Sequence, residues 1–351
     1  MNKISNLLVY GSTHALVDAT CAGIIFSMTV STEQFFNLVV LYNLLAFGLQ
    51  ALIGLVSDRY DLPRQFAMIG CAIVAIASTI FHEALILAIC LAGLGNACFH
   101  VGGGCISLNL TPKRASAPGI FVAPGALGLL IGTKIGTLGY FISWHFVLLL
   151  LFSCVLILYI EIPKIDYARQ GKKVNPSIFE VAVLLLLLSI AIRSLVGLAL
   201  VFPWKSNTTL LVILTLGVVL GKSLGGIMAD RYGWIRVSVI AMLISSFLMS
   251  FEPNIPYLAI VGLFLFNMVM PVTLVAISNM FSGRPGFSFG LNCLALIIGS
   301  LPTFVYIFKE INSSLVFIII MVSTISLLVG LSLYFRFNVI IKDKTLPDSG
   351  H

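Results

Sequence analysis

Charge is what this chain has least of. Only 9% of its 351 residues are Asp, Glu, Lys or Arg, and just 13 are acidic. A soluble domain carries roughly 25% charged residues and 45–50% apolar ones. Here 59% of residues are hydrophobic, more apolar surface than a single soluble core absorbs, so a soluble enzyme is excluded. The apolar stretches run unbroken instead of alternating, which excludes an outer-membrane barrel. No G-x-x-x-x-G-K-[ST] motif is present and no polar stretch is long enough to fold into a nucleotide-binding domain, which argues against an ATP-driven pump. The seven cysteines (Cys21, Cys71, Cys90, Cys98, Cys105, Cys154, Cys293) all lie inside apolar stretches. They have neither zinc-type spacing nor extracellular clustering, so no disulfide framework is expected. The first apolar segment is too long for a cleavable signal and leads into a multi-span pattern.

What remains is a series of apolar runs separated by charge, proline and glycine. A helix needs ~20 residues to cross the ~30 Å hydrocarbon layer. The runs predict twelve spans, at 5–30, 34–57, 64–81, 85–109, 116–138, 142–161, 178–201, 208–229, 235–251, 256–281, 287–308 and 313–335. The expected fold is therefore an all-α integral membrane protein. One connection is long and polar, residues 162–176. It falls at the midpoint and reads as a linker between a six-helix bundle at 1–161 and another at 177–339, with a tail at 340–351.

Basic residues orient the chain. If both termini are cytoplasmic, the inner loops and tails hold fifteen of the 20 Lys and Arg residues, and the outer loops hold only Lys205 and Lys309. That asymmetry follows the positive-inside rule. It accounts for the net charge of +7 without nucleic-acid binding, and places the chain in a cytoplasmic (inner) membrane.

Two segments match at an offset of 172 residues. The run from Gly54 through Asp58, Arg59 and Tyr60 to Arg64 ends span 2. The run from Gly226 through Asp230, Arg231 and Tyr232 to Arg236 ends span 8. A weaker echo joins Gly125–Gly132 of span 5 to Asn292–Gly299 of span 11. Repeated halves are characteristic of secondary transporters, with substrate bound between them at mid-membrane. On these motifs and the six-plus-six pattern, the whole chain resembles the major facilitator superfamily, with a G-x-x-x-D-R-x-G-x-x-R-like turn after spans 2 and 8. Asp61 stands where that turn usually has glycine. The resemblance implies alternating access, with the Asp58, Arg59, Arg64 and Asp230, Arg231, Arg236 turns latching the inner face. Asp58 with Arg64 is the expected pair, since an acid suits a helix N-terminus and a base a C-terminus. Gly128, Gly132 and Gly136 in span 5 and Gly217, Gly221 and Gly225 in span 8 have the spacing of close helix crossings. Spans 5 and 8 touch in this superfamily, so the two stripes are expected at one sliding seam. A narrower similarity, His14-x-x-x-Asp18 in span 1 and the Gly93–His100 segment in span 4, resembles the fosmidomycin-resistance branch. That branch often continues with Pro-Glu, whereas Val101 and three glycines follow here. Pro124-Gly125 is similar, in reversed order, to the antiporter signature of drug exporters.

Ionisable groups inside a bilayer cost ~2.5–3.5 kcal/mol each on insertion scales and mark function by default. Asp18 is the single carboxylate well inside a predicted span. It shares a helix face with His14, four residues earlier, and this pair is the candidate proton carrier. His100 lies in mid-span before Gly102, Gly103 and Gly104, near Asn96 and Cys98. Lys134, Arg193 and Lys222 are the membrane cations, and their excess over acid favours an anionic substrate. Arg193 suits bidentate carboxylate or phosphate. The candidate substrate contacts are thus Arg193, His100, Asn96, Lys134 and Lys222. The expected function is proton-coupled secondary transport of a small anionic or amphiphilic solute, with export preferred, by a monomer without a cofactor. A second reading is a divalent transition-metal transporter using His14, Asp18 and His100. A membrane-embedded enzyme, with His and Asp as acid and base, is the reading from another class. It lacks an activated nucleophile.

Overall fold

The computed structural model describes residues 2–28, 30–165, 167, 176–304 and 312–343. Among these, the chain folds into α-helices joined by short turns, with one short 3-10 turn at Pro203–Ser206. The helices are α1 (Lys3–Phe26), α2 (Thr32–Gly48), α3 (Gln50–Tyr60), α4 (Pro63–Ile80), α5 (Leu85–Leu110), α6 (Ser116–Val122), α7 (Pro124–Thr137) and α8 (Ser143–Tyr159). They continue with α9 (Pro176–Ala199), α10 (Thr208–Tyr232), α11 (Trp234–Phe251), α12 (Pro256–Asn267), α13 (Met270–Met280), α14 (Pro285–Phe304) and α15 (Ser313–Asp343). The pairs α2–α3, α6–α7 and α12–α13 each form one bent span. Eleven helices are then long and apolar enough to cross a membrane, and the shorter apolar helix Ser143–Tyr159 completes twelve.

Proline sets several boundaries. Pro63, Pro176, Pro256 and Pro285 open α4, α9, α12 and α14, where the missing N–H is unneeded and the ring presets φ. Pro124 and Pro271 sit at the starts of α7 and α13. There the absent donor breaks the ladder and splits spans 5 and 10. The last helix runs on to Asp343, beyond the expected end at 335, so the predicted tail at 340–351 begins as helix. Its remainder, 344–351, lies outside the described residues. Most of the linker expected at 162–176 also lies outside them; residues 162–165 and 167 are not helical.

The exterior is apolar, with Leu148, Phe152, Leu184, Ile240 and Ile325 exposed, as lipid contact requires. Inside, small residues set the helix spacing. A Cβ at Gly128 or Gly132 of α7 would overlap the carbonyl of Ala15 or Ala19 in α1. A Cβ at Gly299 of α14 would overlap that of Ala191 in α9. Ala19 and Ala191 are 172 residues apart, the offset of the repeat. The two glycine stripes therefore do not meet. The α7 stripe lies on α1, and the Gly217, Gly221, Gly225 stripe of α10 lies on Ile260, Phe264 and Met268 of the α12 span. The expected common seam is corrected accordingly. Spacing of four announces a close crossing without naming the partner. The α6–α10 contact uses other glycines, Gly119 against the Lys222 carbonyl and Gly226 against that of Ala115.

Candidate functional site

Three groups of polar residues interrupt this apolar interior. The first joins α1 and α5. His14 and Asp18, one turn apart on α1, meet Asn96 and His100, one turn apart on α5. His14 Nε2 lies 2.8 Å from His100 Nε2 and 3.3 Å from Asp18 Oδ2. His100 Nε2 is 3.8 Å from Asp18 Oδ1, and Asn96 Nδ2 donates to Oδ1 at 2.9 Å. The far ring nitrogens are fixed as well: His14 Nδ1 faces the Phe121 carbonyl at 2.8 Å, and His100 Nδ1 that of Asn96 at 2.9 Å. Both histidines and Asn96 are buried and Asp18 is half-buried. Gly125 of α7 makes the room. A Cβ there would lie 2.5 Å from His14 Nε2 and 2.6 Å from Asp18 Oδ2.

His14, Asp18 and His100 offer ligand atoms within 4.8 Å of one another. The spacing nevertheless suits hydrogen bonding better than metal binding. Two Zn–N bonds of ~2.05 Å at the tetrahedral angle hold their nitrogens about 3.3 Å apart, wider than the 2.8 Å found here. The metal-transporter reading gains no support.

The second group lies in the last six spans. A cavity of about 310 Å3 is lined by α9, α10, the α12–α13 span and α14. Arg193 of α9 and Lys222 of α10 both line it, with Asn292 of α14 and Thr273 of α13. Arg193 is 8% exposed. One guanidinium nitrogen donates to Thr273 Oγ1 at 2.9 Å, while its Nε is buried without a protein partner. Asn292 Nδ2 donates to the Ser288 carbonyl, and its Oδ1 is likewise unpartnered. Burying such groups unpaired is costly; the cavity thus offers an unpaired guanidinium donor and an unpaired amide acceptor to an occupant. Lys134 is not part of it: partly exposed on α7, it donates to Thr208 Oγ1 of α10 at 3.2 Å. Thr273 carries no sequence signal, and Asn292 is marked only as the first residue of the span-11 echo, since hydroxyl and amide side chains are common in membrane helices.

The third group sits at the membrane face that carries both repeated turns. Asp58 accepts the backbone N–H groups of Gly286 and Phe287, both at 2.8 Å. Asp230 accepts those of Ala115 and Ser116 at 2.8 and 2.9 Å, and Trp234 Nε1 donates to it at 3.1 Å. Each aspartate therefore caps the helix start of the opposite half, α14 or α6. The uncapped N–H groups and helix dipole there favour an anion. The expected Asp58–Arg64 pairing is not what forms. Arg64 donates to the carbonyls of Leu158 and Ile160 at the end of α8, Arg236 is exposed on α11, and Arg59 and Arg231 lie over the rings of Tyr60 and Tyr232. The turn glycines permit the approach: Gly54 abuts the Gly286 carbonyl and Gly226 that of Ala115. Outside the spans, the Tyr167 hydroxyl lies 4.0 Å from Cys105 Sγ, and burial holds its ionisation above the ordinary tyrosine range.

Several solved structures share this architecture. The human organic anion transporter MFSD10 (TETRAN) superposes with a TM-score of 0.72 at 14% identity, over 95% of this chain and 100% of that one. The E. coli fucose:proton symporter FucP superposes with a TM-score of 0.66 at 12% identity, over 96% and 99%. A structure of FucP in the outward conformation gives 0.64 at 11% identity, over 93% and 99%. At such identities the likeness shows the fold alone. No curated protein matches by sequence. A sequence model of the Major Facilitator Superfamily matches residues 16–292. With that match over most of its length, the chain belongs to the Major Facilitator Superfamily.

Proposed function

We propose that this member of a transporter family is a proton-coupled secondary transporter of a small anionic or amphiphilic solute, exporting it by antiport. The carrying observation is the cavity holding Arg193, with its unpartnered Nε, and Lys222, set in the half opposite the His14–Asp18–His100 cluster. A guanidinium with free donors is an anion receptor, and a carboxylate between two imidazoles is a proton site. The organic anion named for one fold relative fits this chemistry. In this reading Asp18 and His14 couple proton movement, and Arg193, Lys222, Asn96 and His100 contact substrate or its coupling network. Residues 1–161 rock against 177–339, and the Asp58 and Asp230 caps hold one face shut until it opens. That face is cytoplasmic, both termini with it, and the working unit is a monomer in a cytoplasmic (inner) membrane.

The test uses purified protein and a panel of organic anions, then reconstituted vesicles. A ligand that binds only the folded state stabilises it by ~2.7 kcal/mol at a hundredfold excess over its Kd. At least one anion raises the Tm of the wild type and not of Arg193→Ala. The same anion moves uphill when a pH gradient is imposed, and Asp18→Asn, folded and inserted, loses that uphill movement. Transport indifferent to the pH gradient, or stabilisation unchanged in Arg193→Ala, sinks the reading.

A further inference from the structure

We infer that His14 and His100 hold one proton between their Nε2 atoms, with ionised Asp18 as its counter-ion, so that the exchangeable proton sits on an imidazole pair bridging α1 and α5. The argument is one of donors and acceptors. A carbonyl oxygen only accepts, so His14 Nδ1, 2.8 Å from the Phe121 oxygen, carries hydrogen. So does His100 Nδ1, 2.9 Å from the Asn96 oxygen. A neutral imidazole has one N–H, so each Nε2 of a neutral ring presents a lone pair. The two Nε2 atoms face each other at 2.8 Å. Opposed lone pairs at that distance repel, and one hydrogen between them makes an N–H···N bond of ordinary length. The pair therefore carries one proton more than two neutral rings. Placing that proton on Asp18 would leave the lone pairs opposed. The carboxylate stays ionised, 3.3 Å from His14 Nε2 and 3.8 Å from His100 Nε2, and takes the Asn96 amide on Oδ1. The cluster is neutral with the proton and singly negative without it.

Few other titratable groups face the cluster. Cys21 of α1 and Tyr42 of α2 lie near Asp18. Lys222 of α10 interacts with Asp18 and His100 through space. α6 and α7 present Phe121, its ring 4.9 Å from that of His14, and Gly125. Lys222 is shared, because it also lines the cavity of Arg193. Loss of the proton uncovers a negative charge that draws on Lys222, and a bound anion draws on it from the other side. Proton and anion thereby become linked through one cation, a role in transport that rests on the proton-coupled reading; the shared proton itself does not.

The decisive measurement is nitrogen NMR of the full-length protein with 15N-labelled histidine in lipid. The exposed His82 and His145, with His351, are replaced by Gln in the labelled background so that only the pair is observed. The expected spectrum at neutral pH shows one strongly deshielded proton coupled to both Nε2 nuclei. It disappears in His14→Gln and in His100→Gln, and in each the remaining ring turns neutral. Two neutral rings, each protonated on Nδ1 alone with no bridging proton, overturn the inference. The background spectrum decides even if either single variant fails to fold. The transport assay separates the two claims. A bridging proton with transport indifferent to a pH gradient upholds this inference and removes the coupled reading. Gradient-driven transport with two neutral rings does the reverse.

Discussion

At the scale of the residue, what was legible was charge out of place. Asp18, His14, His100 and Arg193 stand out because an ionisable group in an apolar helix is expensive, and the fold brings the first three together and gives the fourth a cavity. Of their uncharged partners, Asn96 is legible only as a neighbour of His100, and Thr273 is not legible at all. Asn96 reaches Asp18 and Thr273 reaches Arg193, yet amides and hydroxyls occur throughout such helices, most often bonded to the carbonyl four residues back. Gly125 stands in the sequence as part of a motif, whereas its work is steric. With a Cβ there lying 2.5 Å from His14 Nε2 and 2.6 Å from Asp18 Oδ2, Gly125→Ala forces the cluster apart. Overpacking of this kind costs typically ~1–3 kcal/mol. The variant should lose Tm accordingly and lose gradient-driven transport with it. Gly48→Ala, where nothing lies within 4 Å of the added methyl, serves as the control and should stay near wild type in both assays.

At the scale of the element, apolar runs located the spans to within a few residues, the end of the last helix excepted, but not the breaks inside them. Hydropathy sums cannot register a missing N–H, so the bends at Pro124 and Pro271 were invisible to them. The repeated turn was legible as a pattern while its backbone was not. Asp61 ends α3 at φ 52, ψ 52, a left-handed conformation that aspartate tolerates, so it can stand where the second copy of the turn has Gly233. Gly233 ends α10 at φ 98, ψ 133, a region L-residues rarely enter. Gly233→Ala should therefore cost ~1–3 kcal/mol, read as a fall in Tm, although the surroundings leave open space for the methyl. An unchanged Tm would show that the turn relaxes without penalty.

At the scale of the whole molecule, composition and the basic-residue bias announced a twelve-span membrane protein, and the 172-residue offset announced its pseudo-symmetry. The exchange of partners across that symmetry was hidden. A sequence motif records the acceptor, Asp58 or Asp230, while the donors are peptide N–H groups that any residue provides. If the halves move as rigid bodies, both caps open together. Hydrogen exchange tests this. Replacing an exposed acid at a helix N-terminus costs about 0.3–1 kcal/mol, up to ~2 when partly buried. Asp58→Asn should then speed exchange at Gly286 and Phe287 several-fold and, by rigid coupling, at Ala115 and Ser116 too. Deprotection confined to the mutated side would mean that the two seams open separately. The cap chemistry also makes the gate lopsided in its inheritance. No ordinary substitution at 115, 116, 286 or 287 removes a main-chain donor; only proline does. Variation in how readily the two halves part at this face is thus channelled through codons 58 and 230 and through the glycines that allow the approach, Gly54, Gly226 and Gly286, where an added Cβ would overlap the facing backbone or, at 286, lie 2.8 Å from Asp58 Oδ1.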